Sequence, residues 1–333
     1  MYDYSRVLVT GGAGFIGSHI VDRLLKEGIE VVVLDNLQGG RLENIHKHIG
    51  KKNLCFVRGD IRNSRLVRNL VRGVDAIIHQ AARVSVPESI KDPVLTDDVN
   101  VNGTLNLLKA SVESDVKRFV YASSCAVYGD AEVMPIKEDC LPRPTSPYGV
   151  SKLAAENYVQ TFYEIFRLKT VCLRYFNVYG SRQINSYYSG VITRFINSLA
   201  KNLPLVIFGD GEQSRDFVHV QDVVDANMSA LRIKGVEGET FNIATGVATT
   251  INQLASALLE ITNKSCLNVV HSKPRKGDVK HSVGDISKAQ KKLHYNVKFS
   301  LKEGLKELVD SYNILVKLRY NLTRINSKFL WKT

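Results

Sequence analysis

The stretch VLVTGGAGFIGSHI, residues 7–20, constrains the fold of this 333-residue chain more than any other. It sets Gly11, Gly14 and Gly17 between a β-branched apolar run and an amphipathic one, where a strand must hand over to a helix. Glycines at that junction let backbone N–H groups and the helix N-terminus approach a pyrophosphate. The loop has the setting this reading requires. It follows the first strand, and Asp35 ends the second strand about 20 residues on. A carboxylate there accepts hydrogen bonds from the adenine ribose hydroxyls and repels a 2′-phosphate, so the expected cofactor is NAD and not NADP. Asp60 and Ile61, ending the third strand, are expected at the adenine edge.

The rhythm set by that junction repeats. Apolar runs RVLVT (6–10), EVVVLD (30–35), LCFVRGD (54–60), DAIIHQA (75–81), KRFVYAS (117–123) and KTVCLRYF (169–176) read as strands. Their near-continuous hydrophobicity is that of strands buried on both faces, as in a parallel sheet. Helical patterns lie between them, at 15–28 with Gly28 as its C-cap, at 93–114 and at 148–168. Strand and helix in alternation give an α/β fold, a Rossmann-type doubly wound parallel sheet. After residue 180 the pattern changes to a helix at 187–202, short strands, turns such as FGDGE, and helices near 251–263 and 300–312. The expected organisation is a dinucleotide-binding domain over 1–180, completed by segments that cross back after 180. A smaller mixed substrate lobe follows over 181–312, then a basic tail over 313–333.

Composition narrows the function classes. With 44% hydrophobic and 23% charged residues, the chain has the balance of a soluble globular protein. No apolar run approaches the roughly 20 residues that a membrane helix needs, so no membrane insertion and a cytoplasmic setting are expected. Cys55, Cys125, Cys140, Cys172 and Cys266 are scattered and lack CxxC spacing, which argues against a disulfide framework and a zinc site. The net charge of +12 does not imply a nucleic-acid partner. Lys317, Arg319, Arg324, Lys328 and Lys332 concentrate part of it in the tail, and the remainder reads as a solvated basic surface that favours anionic metabolites.

Chemistry enters at YASSCAVYGD, residues 121–130, where Ser123 and Ser124 end a strand with no acid or base beside them. Downstream, SPYGVSK carries Tyr148 and Lys152, whose helical spacing stacks them on one face. A lysine ammonium and a nicotinamide cation both favour phenolate, so such a tyrosine can act as a base near neutral pH.

TGGAGFIGS, HQAA, NVNGT, SSCAVYG, YGVSK, RYFNVYG and RDFVHVQD together resemble the extended short-chain dehydrogenase/reductases acting on sugar nucleotides, over about residues 5 to 312. The resemblance implies that Ser124 hydrogen-bonds the reacting sugar hydroxyl, and that Tyr148 and Lys152 are the base and its electrostatic partner. It adds Phe15, Ile16, Asn36, Gln80, Ala81, Ala82, Asn100, Ser123 and Tyr175 to the cofactor site. On the substrate side it implies Ser85, Asn177, Val191 and Phe208, with Arg215 and Arg275 on the diphosphate and Asp278 on the nucleotide ribose. Ser181 and Val84 depart from residues common in such relatives, a proline and a lysine.

Dehydratases of this kind carry Asp-Glu after the strand-end hydroxyl, and uronate decarboxylases a Glu at the second position. Here Cys125 and Ala126 stand there, and neither can take that role. Epimerisation at C4 needs only hydride removal, rotation of the ketone and hydride return. The expected activity is therefore an NAD-dependent UDP-hexose 4-epimerase. Ser282, where epimerases restricted to plain hexoses often have a tyrosine, implies a preference for UDP-GlcNAc and UDP-GalNAc with UDP-glucose and UDP-galactose also accepted. The alternatives are a UDP-uronate epimerase, with Arg83 either meeting a carboxylate or facing solvent, and a non-catalytic NAD-binding protein. A homodimer through a four-helix bundle is also expected. The tail stays open between a packed helix, a partner-binding or interfacial segment, and disorder.

Overall fold

The computed structural model describes residues 4–183, 190–274 and 279–312. The first half alternates as its apolar pattern requires. β1 (Arg6–Thr10), α1 (Phe15–Lys26), β2 (Glu30–Asp35), β3 (Leu54–Arg58), α2 (Ser64–Val71), β4 (Ala76–His79), α3 (Val86–Lys91), α4 (Pro93–Asp97), α5 (Gly103–Glu113), β5 (Arg118–Ser124), α6 (Pro147–Phe166) and β6 (Thr170–Tyr175) follow in order. Beyond them run β7 (Asn177–Tyr179), α7 (Val191–Ala200), β8 (Leu205–Phe208), β9 (Ser214–Arg215), β10 (Phe217–His219), α8 (Val220–Arg232), β11 (Glu239–Ile243), β12 (Thr249–Thr250), α9 (Ile251–Ile261), β13 (Val269–Ser272), β14 (His281–Ser282) and α10 (Ser287–Leu293). Helical backbone also covers 301–312.

Seven of the strands form one parallel sheet in the order β11-β6-β5-β4-β1-β2-β3. Consecutive side chains in a strand point to opposite faces, and the apolar runs divide accordingly. Val7, Val9, Val31, Val33, Ile78 and Val120 enter a core with Ile20 and Leu24 of α1 and Val223 of α8. Leu8, Val32, Leu34, Ile77, Phe119 and Tyr121 enter the opposite one with Val67 of α2, Leu107 of α5 and Val159 of α6. Burial on both faces is why these strands read as continuous apolar runs.

The strand order reverses between β1 and β4, and ligands of open α/β sheets bind outside the carboxyl ends at such a point. Gly11 directly follows β1 there and Gln80 directly follows β4. After residue 180 the chain returns, with α8 against α1 and β11 on the sheet's edge beside β6. The remaining short strands and helices gather around Ile192, Phe195, Leu205, Leu254 and Leu305 in a smaller core of their own. No helix among the described residues is long and apolar enough to cross a membrane.

The helix read over 93–114 is interrupted. α4 and α5 are joined by a π turn at Asp98–Asn102, and the extra residue in that turn faces Asn100 inward.

Candidate active site

The glycine loop is built for close approach. Gly11 has φ +67, and a Cβ on it would lie 2.8 Å from the Ala81 backbone nitrogen. A Cβ on Gly17 would run into the Gly11 carbonyl oxygen, so α1 begins directly on the loop. The N-cap of α1 is Gly14, with no capping side chain and no acidic residue in the first turn, where Phe15, Ile16 and Gly17 lie. That leaves the positive end of the helix facing whatever the loop cradles.

Asp35 is buried at the end of β2, its two oxygens accepting from Ala13 N at 3.0 Å and Leu37 N at 2.8 Å. Burial raises its pKa, and the two backbone donors oppose the rise. Asn36 donates to Asp60 at 3.1 Å, and Asp60 also holds Arg62 in a two-pronged pair at 2.9 and 3.0 Å, which keeps its carboxyl down to about 2. Ile61 packs beneath Gly103 of α5. Across the cleft Gln80 donates to the Tyr175 hydroxyl at 2.9 Å, and Asn227 of α8, buried and absent from the sequence reading, reaches the same hydroxyl at 2.8 Å. Asn100 accepts from Arg83 N at 2.8 Å and donates to Ser151 Oγ at 2.9 Å, fixing the Ala81–Ala82–Arg83 turn against α6. This cradle, with a helix N-terminus at one end and a carboxylate at the other, fits NAD, whose reversible acceptance of a hydride is the chemistry it supplies when bound.

The catalytic candidates meet at the end of β5. Pro147 and the N-cap Ser146 start α6, and Ser89 Oγ of α3 accepts from Tyr148 N at 3.1 Å, so the helix start is pinned. Tyr148 stands with its phenol beside the Ser124 hydroxyl. Burial pushes its phenol up to about 12, and Ser124 works against that rise. Lys152 Nζ donates to Ala122 O at 2.7 Å and lies 5.0 Å above the Tyr121 ring, and burial drives its pKa down to about 7. Ser123 Oγ turns to Glu156 at 2.5 Å, which leaves the backbone of Ser123 as its approach to a cofactor.

Two of the substrate candidates, Arg215 and Ser282, come together beside this pair. β9 and β14 bring Arg215 opposite Ser282. The Cys125 thiol lies between Ser282 and Ser124, and burial pushes it up to about 11. Ser282 thus sits one residue away from the catalytic hydroxyl. Asn177 donates to Asp216 O at 3.2 Å, and the Asp216 carboxylate, buried and unforeseen from sequence, gathers Thr245 N at 2.7 Å and Gly246 N at 2.8 Å beneath it. Phe208 lies at the end of β8 with the Arg194 guanidinium 5.4 Å from its ring, and Val191 opens α7. Ser85 caps α3, its Oγ accepting from Glu88 N at 3.2 Å. Arg275, Asp278 and the tail 313–333 lie outside the described residues.

Comparison with known proteins gives one consistent result. A model described as the NAD dependent epimerase/dehydratase family matches residues 7–244. The structure of a Thermotoga maritima UDP-glucose 4-epimerase with UDP-glucose superposes with a TM-score of 0.89 at 40% identity, covering 93% of this chain and 99% of that one. A Methanobrevibacter ruminantium UDP-N-acetylglucosamine 4-epimerase, in complex with UDP-N-acetylmuramic acid, has a TM-score of 0.89 at 36% identity over 95% of this chain and 100% of that one. A dTDP-D-glucose 4,6-dehydratase of Mus musculus is also 36% identical, over 92% of this chain and 88% of that one.

Proposed function

The chain belongs to the NAD-dependent epimerase/dehydratase family, and on that premise we propose that it is a UDP-hexose 4-epimerase that favours UDP-GlcNAc and UDP-GalNAc and also accepts UDP-glucose and UDP-galactose. The observation that carries this reading is the Tyr148–Ser124 pair, followed by Cys125 and Ala126. A dehydratase must remove water from C5 and C6, and that chemistry needs a carboxyl acid or base where these two residues stand. A thiol pushed up to about 11 and a methyl do not supply it.

Tyr148 takes the proton of the C4 hydroxyl while Ser124 holds the oxygen, and Tyr148 gives the proton back once the 4-keto sugar has turned about its diphosphate. NAD bound in the cradle would supply the reversible hydride acceptance at C4. Arg215 anchors the diphosphate during that turn, a role supported by its register opposite Ser282 and by the fit of a planar guanidinium to phosphate oxygens. Ser282 supports the preference for N-acetylated sugars, because its small side chain lines the wall next to Cys125 and Ser124.

The reaction run in deuterium oxide separates the two chemistries. Epimerisation returns the same hydride, so the C4 epimer should carry no deuterium on carbon. Deuterium at C5 or C6, or a 6-deoxy product, would overturn the reading.

The family resemblance also leads us to propose a symmetric dimer. Val150, Tyr158, Ile165 and Phe166 of α6 are exposed, and Val94 of α4 is 78% exposed. An apolar stripe of that kind supports a four-helix bundle with a second copy.

A further inference from the structure

Glu156 has no part in the chemistry above, yet the catalytic elements converge on it. It stands one helical turn beyond Lys152 on α6 and is 1% exposed. Its Oε2 accepts from Ser123 Oγ at 2.5 Å. Arg174 of β6 grips the same carboxylate, Nη2 to Oε1 at 2.5 Å and Nε to the two oxygens at 3.1 and 3.2 Å. Arg174 is held in turn by the Tyr128 hydroxyl at 2.7 Å and Glu138 O at 2.9 Å. One carboxylate therefore joins the helix that bears Tyr148, the residue next to Ser124 on β5, and the neighbouring strand.

It also stands beside a buried ammonium. The Tyr121 ring on β5 lies 5.0 Å from Lys152 Nζ, His79 on β4 feels its charge, and Glu156 stands one turn along α6, with Cys172 and Arg174 on the neighbouring β6. Burial drives His79 down to about 3, and its ring nitrogens are engaged by Thr10 and Thr104, so it is neutral. Burial pushes Tyr121 and Cys172 well up, so they are neutral too. Arg174 is positive. Glu156 is the negative charge that acts on Lys152, raising its pKa against the larger lowering by burial. A buried charge without a counter-charge gives up its ionisation.

We propose that Glu156 is the positioning residue of this site: it registers Ser124 against Tyr148 by gripping Ser123, and it keeps Lys152 an ammonium so that Tyr148 can ionise. The proposal rests on the epimerase reading for the roles of Tyr148 and Lys152. Lys152 is charged below its pKa and loses the charge as pH rises through it. Without Glu156 that pKa falls further, the ammonium disappears at lower pH, and the Tyr148 phenol ionises at higher pH.

The test uses purified holoenzyme and two readouts. One is an ultraviolet titration of the Tyr148 phenolate, taken as each protein minus its own Tyr148→Phe version. The other is the pH profile of kcat. Glu156→Gln should move the phenolate midpoint up, and the alkaline fall of kcat down, by about one pH unit or more. Glu156→Asp should restore both midpoints. Ser123→Ala, which leaves the ion pair intact, should lower kcat roughly tenfold through misplacement of Ser124 while moving neither midpoint.

If Glu156→Gln does not fold because Arg174 is left unpaired, the double variant Glu156→Gln with Arg174→Met removes both charges and should show both shifts in the same directions but smaller, because the lost cation partly offsets the lost carboxylate. Wild-type midpoints in the folded variants would overturn the proposal. The phenolate titration needs no substrate. A wild-type protein that turns over no UDP-sugar but shows the phenolate shift would therefore count against the epimerase reading alone.

Discussion

In the proposed reading Tyr148 bears the chemistry and Ser282 the selectivity, and each can be tested by one substitution. Tyr148→Phe removes only the oxygen that moves the proton. It should lower kcat by roughly 10²–10⁴-fold while leaving UDP-sugar binding intact, and a variant within threefold of wild type by steady-state assay would refute the assignment. Ser282→Tyr should push a phenol into the space beside C2. Overfilling of that kind costs about 1–3 kcal/mol, roughly 5- to 150-fold in kcat/KM for UDP-GlcNAc. UDP-glucose turnover should survive, so the ratio of the two specificity constants is the measurement, and a ratio that moves less than twofold would remove Ser282 from the pocket. At this scale the sequence was legible where spacing dictates geometry. Tyr148 meets Ser124 because a helix start faces a strand end. The aim of Lys152 was not legible, because it depends on the Ala122 carbonyl and the Tyr121 ring, and no spacing rule reports those.

Among the elements, the six strands of the first half were readable because burial on both faces makes them apolar throughout. β11 was not, and its residues explain why. The strand ETFNI carries Asn242, which is buried yet accepts from the Tyr128 hydroxyl at 2.6 Å and donates to Ile136 O at 2.9 Å. A polar residue at a core position breaks the apolar run, and only partners far away in sequence make that placement favourable. The π turn at Asp98–Asn102 escaped for a similar reason, since helical periodicity continues on either side of it. The outward apolar stripe on α6 leads to a prediction at this scale. Light scattering at micromolar concentration should give a dimer mass, and replacing Val94 and Val150 by Lys should give a monomer that keeps its helical circular dichroism. A monomeric wild-type mass would contradict the four-helix bundle.

For the whole molecule, the sheet and the lobe divide the work: the reversal of strand order between β1 and β4 builds the dinucleotide cradle, and the segments after residue 180 bring Arg215 and Ser282 over the end of β5. Ser124 and Tyr148 come from the sheet half, while the wall beside them comes from chain more than a hundred residues later, a juxtaposition that only the fold reveals. The measurement that tests this account most directly is incubation of the purified protein with UDP-GlcNAc, UDP-glucose and UDP-glucuronate separately, followed by chromatographic separation of the C4 epimers. The account predicts UDP-GalNAc from the first at the highest kcat/KM and UDP-galactose from the second more slowly. Conversion of UDP-glucuronate alone, or no C4 epimer from any of the three, would contradict it.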